Sequence, residues 1–226
     1  MLWDIEASNL SADCGFIYCI GYKWLGEDKI HLLKSRGKKL YDDKDLLHRW
    51  SLIFNKAHIH VAHYGSKFDL PFVQTRLMMH GMPQLGPIPI VDTWRIAKYK
   101  LKLRNNRLDT LARAIHVPEG KIRAEKTPLE PWIWVKAHTG DKTSIKYIEE
   151  HCIADIDVLE AVYTQVRRLD LSHPNISKIE TRTREACPTC DSNNVQFRGT
   201  FPTVRGRKYR FHCQDCGHWS SRSASK

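Results

Sequence analysis

Acidic side chains occur in three separate segments of the sequence that are otherwise apolar or helical in pattern. Asp4 and Glu6 are two residues apart in a short apolar stretch, Asp69 opens a helical pattern, and Asp155 lies within a long one. Because side chains two apart on a strand point to the same face, Asp4 and Glu6 should lie side by side. Neighbouring carboxylates repel each other unless a cation lies between them, so this pair predicts a cation site.

The long helical pattern adds Tyr147 and His151, which precede Asp155 at intervals of four residues. Residues four apart on a helix stack along one face, so these three side chains form a row. Taken alone, such a row is more typical of a solvated helix face, and Asp69 alone would be explained as a helix cap. The case for chemistry depends on whether the fold brings these segments together.

Four cysteines form a second group with recognisable chemistry. They make two C-x2-C pairs with 22 residues between the pairs: Cys187, Cys190, Cys213 and Cys216. Each pair can present two thiolates from one turn, and two such turns complete a tetrahedral zinc site. Chance pairs and a redox site are the alternatives. The predicted hairpin between the pairs makes the segment resemble a zinc ribbon, in which zinc with four ligands would be structural and would stabilise a module with a small core.

The other three cysteines, Cys14, Cys19 and Cys152, lie in surroundings typical of small core side chains. An odd total of seven cysteines argues against a disulfide framework and favours a reducing, cytoplasmic compartment. The first residues contain no basic and apolar leader, so no secretory signal is expected. The small size suits a phage or bacterial host.

The net charge of +11 and the isoelectric point near 9.4 favour a polyanionic partner, with nucleic acid first and an anionic membrane second. No run of 18 apolar residues exists, which predicts that no segment spans a membrane. The charge is uneven, since residues 176–226 contain ten Lys and Arg against four Asp and Glu. Net charge indicates a class of partner but neither a fold nor a reaction.

Two basic segments are candidates for contact with nucleic acid. The first lies between the acidic segments and is basic at five of ten positions: Lys98, Lys100, Lys102, Arg104 and Arg107. The second lies between the cysteine pairs and is interleaved with aromatic side chains: Arg205, Arg207, Lys208 and Arg210. A solvated surface is the alternative explanation for both segments.

Hydrophobic periodicity outlines the elements that must position these groups. The predicted strands are residues 1–6, 16–24, 29–33, 59–63 and 88–92, and the predicted helices are 42–56, 69–80, 108–116 and 144–169. This order predicts an α/β fold in which helices cover a mixed sheet. Residues 173–175 are the predicted boundary between a main domain, residues 1–172, and a small metal-held domain, residues 176–226.

The order of the acidic segments resembles the DEDD family of 3′–5′ exonucleases, which have an RNase H-like fold and include the proofreading domains of DNA polymerases. The residues that carry the resemblance are Asp4-Ile5-Glu6, then Phe68-Asp69 before a helix, then Asp155 in a long aliphatic helix. The resemblance covers most of residues 1–170, and residues 91–93 and 108–112 are similar to segments between the family's motifs. It depends on order and spacing, since no single motif is specific.

The resemblance implies that Asp4, Glu6, Asp69 and Asp155 hold two Mg²⁺ or Mn²⁺ ions, roughly 4 Å apart, for in-line displacement at phosphorus. Asp4 would touch both ions. Glu6 and Asp155 would favour the ion that activates water, and Asp69 the ion near the leaving oxygen. Oxygen ligands suit these ions better than zinc.

The last motif departs from the family, which has Tyr four residues before the final Asp or His five residues before it. Here His151 lies four residues before Asp155, Cys152 occupies the histidine position, and Tyr147 is one turn too early. We assign His151 to orienting or deprotonating the attacking water, since imidazole suits neutral pH.

These observations predict a metal-dependent 3′–5′ exonuclease, a monomer that acts on nucleic-acid 3′ ends and uses a zinc ribbon to help hold the strand. Single-stranded or 3′-ended DNA is the favoured substrate, and RNA is an alternative. Two other functions stay open, an RNase H-like endonuclease and a non-catalytic zinc-ribbon protein that binds nucleic acid. The four acids argue against the last, because clustered acids facing phosphates would weaken binding.

Overall fold

The computed structural model describes residues 1–35, 41–117, 130–179 and 185–223. The strands of its larger sheet are β1 (Leu2–Ala7), β2 (Ile17–Lys23), β3 (His31–Lys34), β4 (His60–Ala62) and β5 (Ile90–Asp92). They are arranged in the order β3-β2-β1-β4-β5. The β1–β2 and β2–β3 pairs are antiparallel, whereas β1–β4 and β4–β5 are parallel. This mixed sheet confirms the predicted fold class.

Helices flank the sheet. Within the described ranges they are α1 (Lys44–Phe54), α2 (Asp69–Met79), α3 (Thr93–Lys100), α4 (Leu108–Ala114), α5 (Pro131–His138) and α6 (Lys142–Val166). The sequence pattern predicts α1, α2, α4 and α6 but misses α3 and α5. Each of these two has eight residues, about two turns, which give too little hydrophobic periodicity for recognition. None of the described helices is long and apolar enough to cross a membrane.

Strand β1 lies at the centre of the sheet, and its side chains alternate between two cores. Trp3 is fully buried on the side of α1 and α2, where its ring lies 5.1 Å from that of Trp50 between centroids. Leu2 is fully buried on the opposite side, in a cluster formed mainly by α3, α4 and α6. By this alternation Asp4 and Glu6 face the same side as Leu2, toward α6.

Helix α6, with 25 residues, is the longest of the described helices and crosses both β1 and β2. Its N terminus is capped by Asp141, whose Oδ2 accepts a hydrogen bond from the backbone N–H of Ser144 at 2.8 Å. The helix approaches β2 closely at Gly21, where a Cβ atom would lie 2.9 Å from the Sγ of Cys152. A larger residue at this position would push the helix away from the sheet.

A second, antiparallel sheet is formed by β6 (Val195–Thr203), β7 (Gly206–Cys213) and β8 (Trp219–Ser223). The first two strands are the predicted hairpin, whereas the sequence does not predict β8. This sheet is joined to the end of α6 by His218, whose Nδ1 lies 3.1 Å from the carbonyl oxygen of Arg168. Of the predicted domain 176–226, residues 180–184 and 224–226 lie outside the described residues, and its boundary at 173–175 stays a prediction.

Asp43, directly before α1, is a fully buried carboxylate that joins three elements. The backbone N–H of Ile17 in β2 donates to its Oδ2 at 3.0 Å. Arg76 of α2 donates to both oxygens, at 3.0 and 2.9 Å, and Nε2 of His80 lies 2.7 Å from Oδ1. A buried carboxylate is tolerated only when its charge is paired and its oxygens are hydrogen-bonded, and both conditions are met here.

Arg76→Met should therefore destabilise the fold, because it leaves the charge of Asp43 buried without its guanidinium partner. We expect the free energy of unfolding to fall by about 3–5 kcal/mol in urea titrations. Lys146→Ala is the control, since it breaks an ion pair with Glu150 between two exposed side chains and should cost less than about 1 kcal/mol. Equal losses in the two variants would contradict a structural role for the buried pair.

Candidate active site

The carboxylates of β1 and α6 meet around a histidine. Nε2 of His151 lies 3.8 Å from Oε1 of Glu6 and 3.7 Å from Oδ2 of Asp155. The exposed fractions of these side chains are 5%, 12% and 17%, so all three are largely removed from water. The backbone carbonyl of Asp4 accepts a hydrogen bond from the Sγ of Cys152 at 3.8 Å. The structure thus brings together the predicted residues of the first and last acidic segments.

Two further residues of the last motif, Cys152 and Tyr147, pack in the core beside the sheet. Cys152 is fully buried against β2, where a hydrogen bond with Cys19 and burial raise the pKa of its thiol well above the usual value. Tyr147 packs against the same core cluster, which includes Phe16. The helix places His151 beside Glu6 and Asp155.

Helix α5 covers His151 from one side. The ring of Trp134 lies 6.3 Å from the imidazole between centroids, at an interplanar angle of 85°. The hydroxyl of Tyr18 in β2 donates to the carbonyl oxygen of Trp134 at 3.5 Å, which holds α5 near the sheet. The sequence gives one weak signal for this helix, Pro131 in its first turn.

Asp69 begins α2 and lies beneath β1 with 3% of its surface exposed. The backbone N–H of Ile5 donates to its Oδ1 at 3.1 Å, so this carboxylate is held against the strand that carries Asp4 and Glu6. The pKa of Asp69 is raised to about 7, first by burial and then by the charge of Asp92, against the lowering effect of the hydrogen bond from Ile5. At neutral pH this group is stabilised by a proton or by a nearby cation.

The acids fit divalent cations by their chemistry. Asp4, Glu6, Asp69 and Asp155 offer only carboxylate oxygens, which Mg²⁺ and Mn²⁺ prefer, and the burial of Asp69 leaves its charge poorly screened. Their oxygens are not gathered tightly. Among the described residues, the four cysteines are the one group of three or more His, Cys, Asp or Glu whose ligand atoms all lie within 4.8 Å of one another.

Asp92, at the end of β5, has a role that the sequence did not predict. It is buried, and it accepts hydrogen bonds from the backbone N–H groups of Tyr64 and Ser66 at 2.9 and 3.2 Å and from the hydroxyl of Ser66 at 2.5 Å. It also caps α3 by accepting from the backbone N–H of Trp94 at 3.0 Å. Asp92 therefore fixes the turn that leads into Asp69. The sequence signal was an Asp between a strand and a helix.

The first basic segment contains five exposed cations, which we call the basic strip: Lys98, Lys100, Lys102, Arg104 and Arg107. Its first two residues end α3. Beyond the helix, Leu101 and Leu103 pack against the core while the basic residues between and after them face solvent. The alternation of apolar and basic residues therefore directs the charges outward together.

The second basic segment is divided between two faces of its sheet. Arg207 shares a face of β7 with Tyr209, whereas Lys208 and Arg210 lie on the opposite face. Arg205 lies in the turn that joins β6 to β7. The guanidinium of Arg210 lies 5.3 Å from the ring centroid of Trp219, on its own face. The structure does not gather these four residues into one surface.

The four cysteines have the geometry of a metal site. Two pairs of sulfur atoms are each 3.7 Å apart, Cys187 with Cys216 and Cys190 with Cys213. Zinc–sulfur bonds of about 2.3 Å in a tetrahedron place sulfur atoms about 3.8 Å apart. The residue after each C-x2-C pair has a left-handed backbone, with φ of 61° at Asp191 and 74° at Gly217, so the two turns are alike. The cluster fits zinc.

Comparisons with known proteins agree with this architecture. A family model described as the RNase_H superfamily matches residues 1–167. Among solved structures, the family B DNA polymerase from the hyperthermophilic archaeon Pyrobaculum calidifontis is similar, with a TM-score of 0.59 and 13% sequence identity over 79% of this chain. The chain spans 26% of the polymerase, and at this identity the likeness shows the fold alone. No curated protein sequence matches the chain significantly.

The raised pKa of Asp69 predicts that this residue lowers the stability of the fold by an amount that depends on pH. Below about pH 4 the carboxyl is protonated in both states, whereas between about pH 4 and 7 only the unfolded chain loses the proton, so stability falls as pH rises. Asp69→Asn removes this charge and keeps an oxygen for the N–H of Ile5. We expect the variant's stability advantage, measured by denaturation without added divalent cations, to grow from pH 5 to pH 8. An advantage independent of pH would contradict the prediction.

Proposed function

Since the chain belongs to the RNase H superfamily, we propose that it is a divalent-metal-dependent nuclease that removes nucleotides from the 3′ ends of nucleic-acid strands. The observation that carries the proposal is the meeting of Glu6, His151 and Asp155, with distances of 3.7–3.8 Å from the imidazole to the two carboxylates. Buried Asp69 adds a fourth group, which accepts a hydrogen bond from the backbone N–H of Ile5 in the same strand.

Asp4, Glu6, Asp69 and Asp155 would hold two Mg²⁺ or Mn²⁺ ions. When bound, such ions lower the pKa of water and offset the charge that develops on the phosphoryl oxygens. The part played by the chain is to hold these carboxylates on β1, α2 and α6, with Glu6, Asp69 and Asp155 largely shielded from water. The burial of Asp69 and the charge of Asp92 disfavour the ionised form of Asp69 without a cation, which strengthens cation binding.

His151 is proposed to orient or deprotonate the attacking water. An imidazole titrates near neutral pH, and the carboxylates of Glu6 and Asp155 stabilise the imidazolium that forms when Nε2 takes a proton. The ring of Trp134 packs edge to face against the imidazole and limits its rotation. The position of Nε2 is thereby set by packing as well as by charge.

The substrate is proposed to be a single strand, DNA in the first place, held by the basic strip. Exposed cations suit contact with backbone phosphates. Of the second basic segment, Lys208 and Arg210, which share a face of β7, would contact the strand farther away. The second sheet contacts Arg168 through His218. Arg168 follows Asp155 by 13 residues, so the sheet lies about 20 Å from the acids along the helix, at a rise of about 1.5 Å per residue.

The test compares linear single strands with a free 3′ end, strands with a blocked 3′ end, and circles, each with Mg²⁺ or Mn²⁺. We expect degradation of the free-ended strands alone. Asp4→Asn and Asp155→Asn should each lower the rate by about 1,000-fold or more, because several kcal/mol of charge stabilisation is lost.

Asp157→Asn is the matched control on α6. Its carboxylate contacts Lys23 at 3.7 Å and is 49% exposed, so the rate should stay unchanged. Equal cleavage of circles would indicate an endonuclease instead. Full activity of both Asp4→Asn and Asp155→Asn would show that the site is wrongly assigned.

We propose that the four cysteines bind one structural zinc ion, since the cluster has four ligands and leaves no position open for substrate. Metal analysis of the purified protein should give one zinc per chain. Cys213→Ser should lose this zinc and unfold the second sheet, because metal binding supplies folding energy to small domains. Cys14→Ser, at an exposed cysteine outside the cluster, should keep it. Full zinc content in Cys213→Ser would contradict the assignment.

A further inference from the structure

Tyr64 has a backbone conformation that aromatic residues rarely adopt. Its φ is 66°, in the left-handed region that favours glycine and, to a lesser extent, Asn. The conformation is held by hydrogen bonds from both sides. Oδ1 of Asp92 accepts from the N–H of Tyr64 at 2.9 Å, and the carbonyl oxygen of Tyr64 accepts from the N–H groups of Lys67 and Phe68 at 2.9 and 3.0 Å. Such strain persists where the surrounding structure enforces it, most often at functional sites.

The strained backbone presents the tyrosine ring to solvent beside a second aromatic ring. Tyr64 is 42% exposed, and its ring lies 4.8 Å from that of Trp94 between centroids, at an angle of 67°. Both backbone N–H groups bind the same Oδ1 of Asp92, at 2.9 and 3.0 Å, so one buried carboxylate fixes the two residues relative to each other. In an edge-to-face pair the face of only one ring is covered, which leaves aromatic surface available for stacking.

Basic side chains lie beside this aromatic pair. Nζ of Lys98 lies 4.7 Å from the ring centroid of Trp94 and begins the basic strip. At the far end of the strip, the carbonyl oxygen of Asn106 lies 2.8 Å from Nε2 of His63, the residue before Tyr64. Lys67, in the same turn as Tyr64, is also exposed. Positive charge therefore lies beside the aromatic pair. Lys98 at the start of the basic strip contacts Trp94, and Asn106 near its end contacts His63.

The aromatic pair also lies next to the acidic site. At Gly65, directly after Tyr64, a Cβ atom would lie 3.6 Å from Oδ2 of Asp69 and 2.3 Å from the Cβ of Ala62. The chain therefore passes close to the carboxylate of Asp69 at Gly65, and the residue before it, Tyr64, is exposed to solvent. A ligand that stacks on this ring is placed within reach of a group held at the acids.

We propose that Tyr64 and Trp94 form a stacking site for an unpaired nucleobase of a single strand, with the basic strip contacting its phosphates. Aromatic faces bordered by Lys and Arg are the surface chemistry that single-stranded nucleic acid requires, since every base has a π-face and every linkage a negative charge. The proposal deepens the proposed nuclease function and rests on it for the polarity of the bound strand.

The test measures binding of single-stranded oligodeoxynucleotides that carry 2-aminopurine at successive positions from the 3′ end, without Mg²⁺ or Mn²⁺. Stacking quenches this fluorescent base, so we expect quenching centred on one position. Tyr64→Asn should abolish the quenching and weaken binding by about 5- to 150-fold, the loss of one stacked base at about 1–3 kcal/mol. Asn tolerates the left-handed backbone and keeps the N–H bonded to Asp92, so this variant should fold.

Two controls isolate the aromatic ring. Tyr64→Phe keeps the ring and should keep the quenching, and Tyr41→Asn changes another exposed tyrosine and should alter nothing. An abasic residue at the quenched position should weaken binding to the natural protein and leave binding to Tyr64→Asn unchanged. Wild-type affinity and quenching in Tyr64→Asn would overturn the proposal, even if the protein cleaves DNA. Ring-dependent quenching without cleavage would support the stacking site and count against the nuclease.

Discussion

The close packing of helix α6 on strands β1 and β2 is the contact on which the candidate site depends. Gly21 leaves room for the thiol of Cys152, and this thiol in turn reaches the carbonyl of Asp4. These contacts fix the position of the helix along β1. His151, the residue before Cys152, is thereby placed close to both Glu6 and Asp155. A small buried core residue thus sets the spacing of the charged side chains beside it.

Two buried aspartates near this contact have opposite surroundings. Asp92 accepts hydrogen bonds from four backbone N–H groups and one hydroxyl, so its oxygens are satisfied by the protein itself. Asp69 accepts from Ile5, and burial raises its pKa to about 7. The first is suited to holding a turn and the second to binding a proton or a cation. The fold tolerates the cost of Asp69 as proteins tolerate destabilising groups at functional sites.

The sequence predicted those parts of the molecule in which residue type or periodicity is restricted. A long apolar stripe at helical spacing reveals α6. The spacing of the cysteines reveals the four-sulfur cluster, because cysteine is one of the few side chains that bind zinc. Helices α3 and α5 are too short for such a signal, and the contacts of Trp94 and Trp134 arise only in the tertiary structure. The position of Asp92 between a strand and a helix indicated only a helix cap. Its contacts with the turn at residues 64–66 were not predictable, since those partners are mainly backbone N–H groups, which every sequence possesses.

Helix α6 also has a mechanical consequence. It runs as one unbroken helix from Lys142 to Val166, and the turn that follows it provides the carbonyl of Arg168 that His218 contacts. A helix resists compression and bending, because each turn is bonded to the next. Helix α6 therefore links the acids to the second sheet as one rigid element. Movement of the second sheet relative to the acids would therefore require the contact between Arg168 and His218 to break.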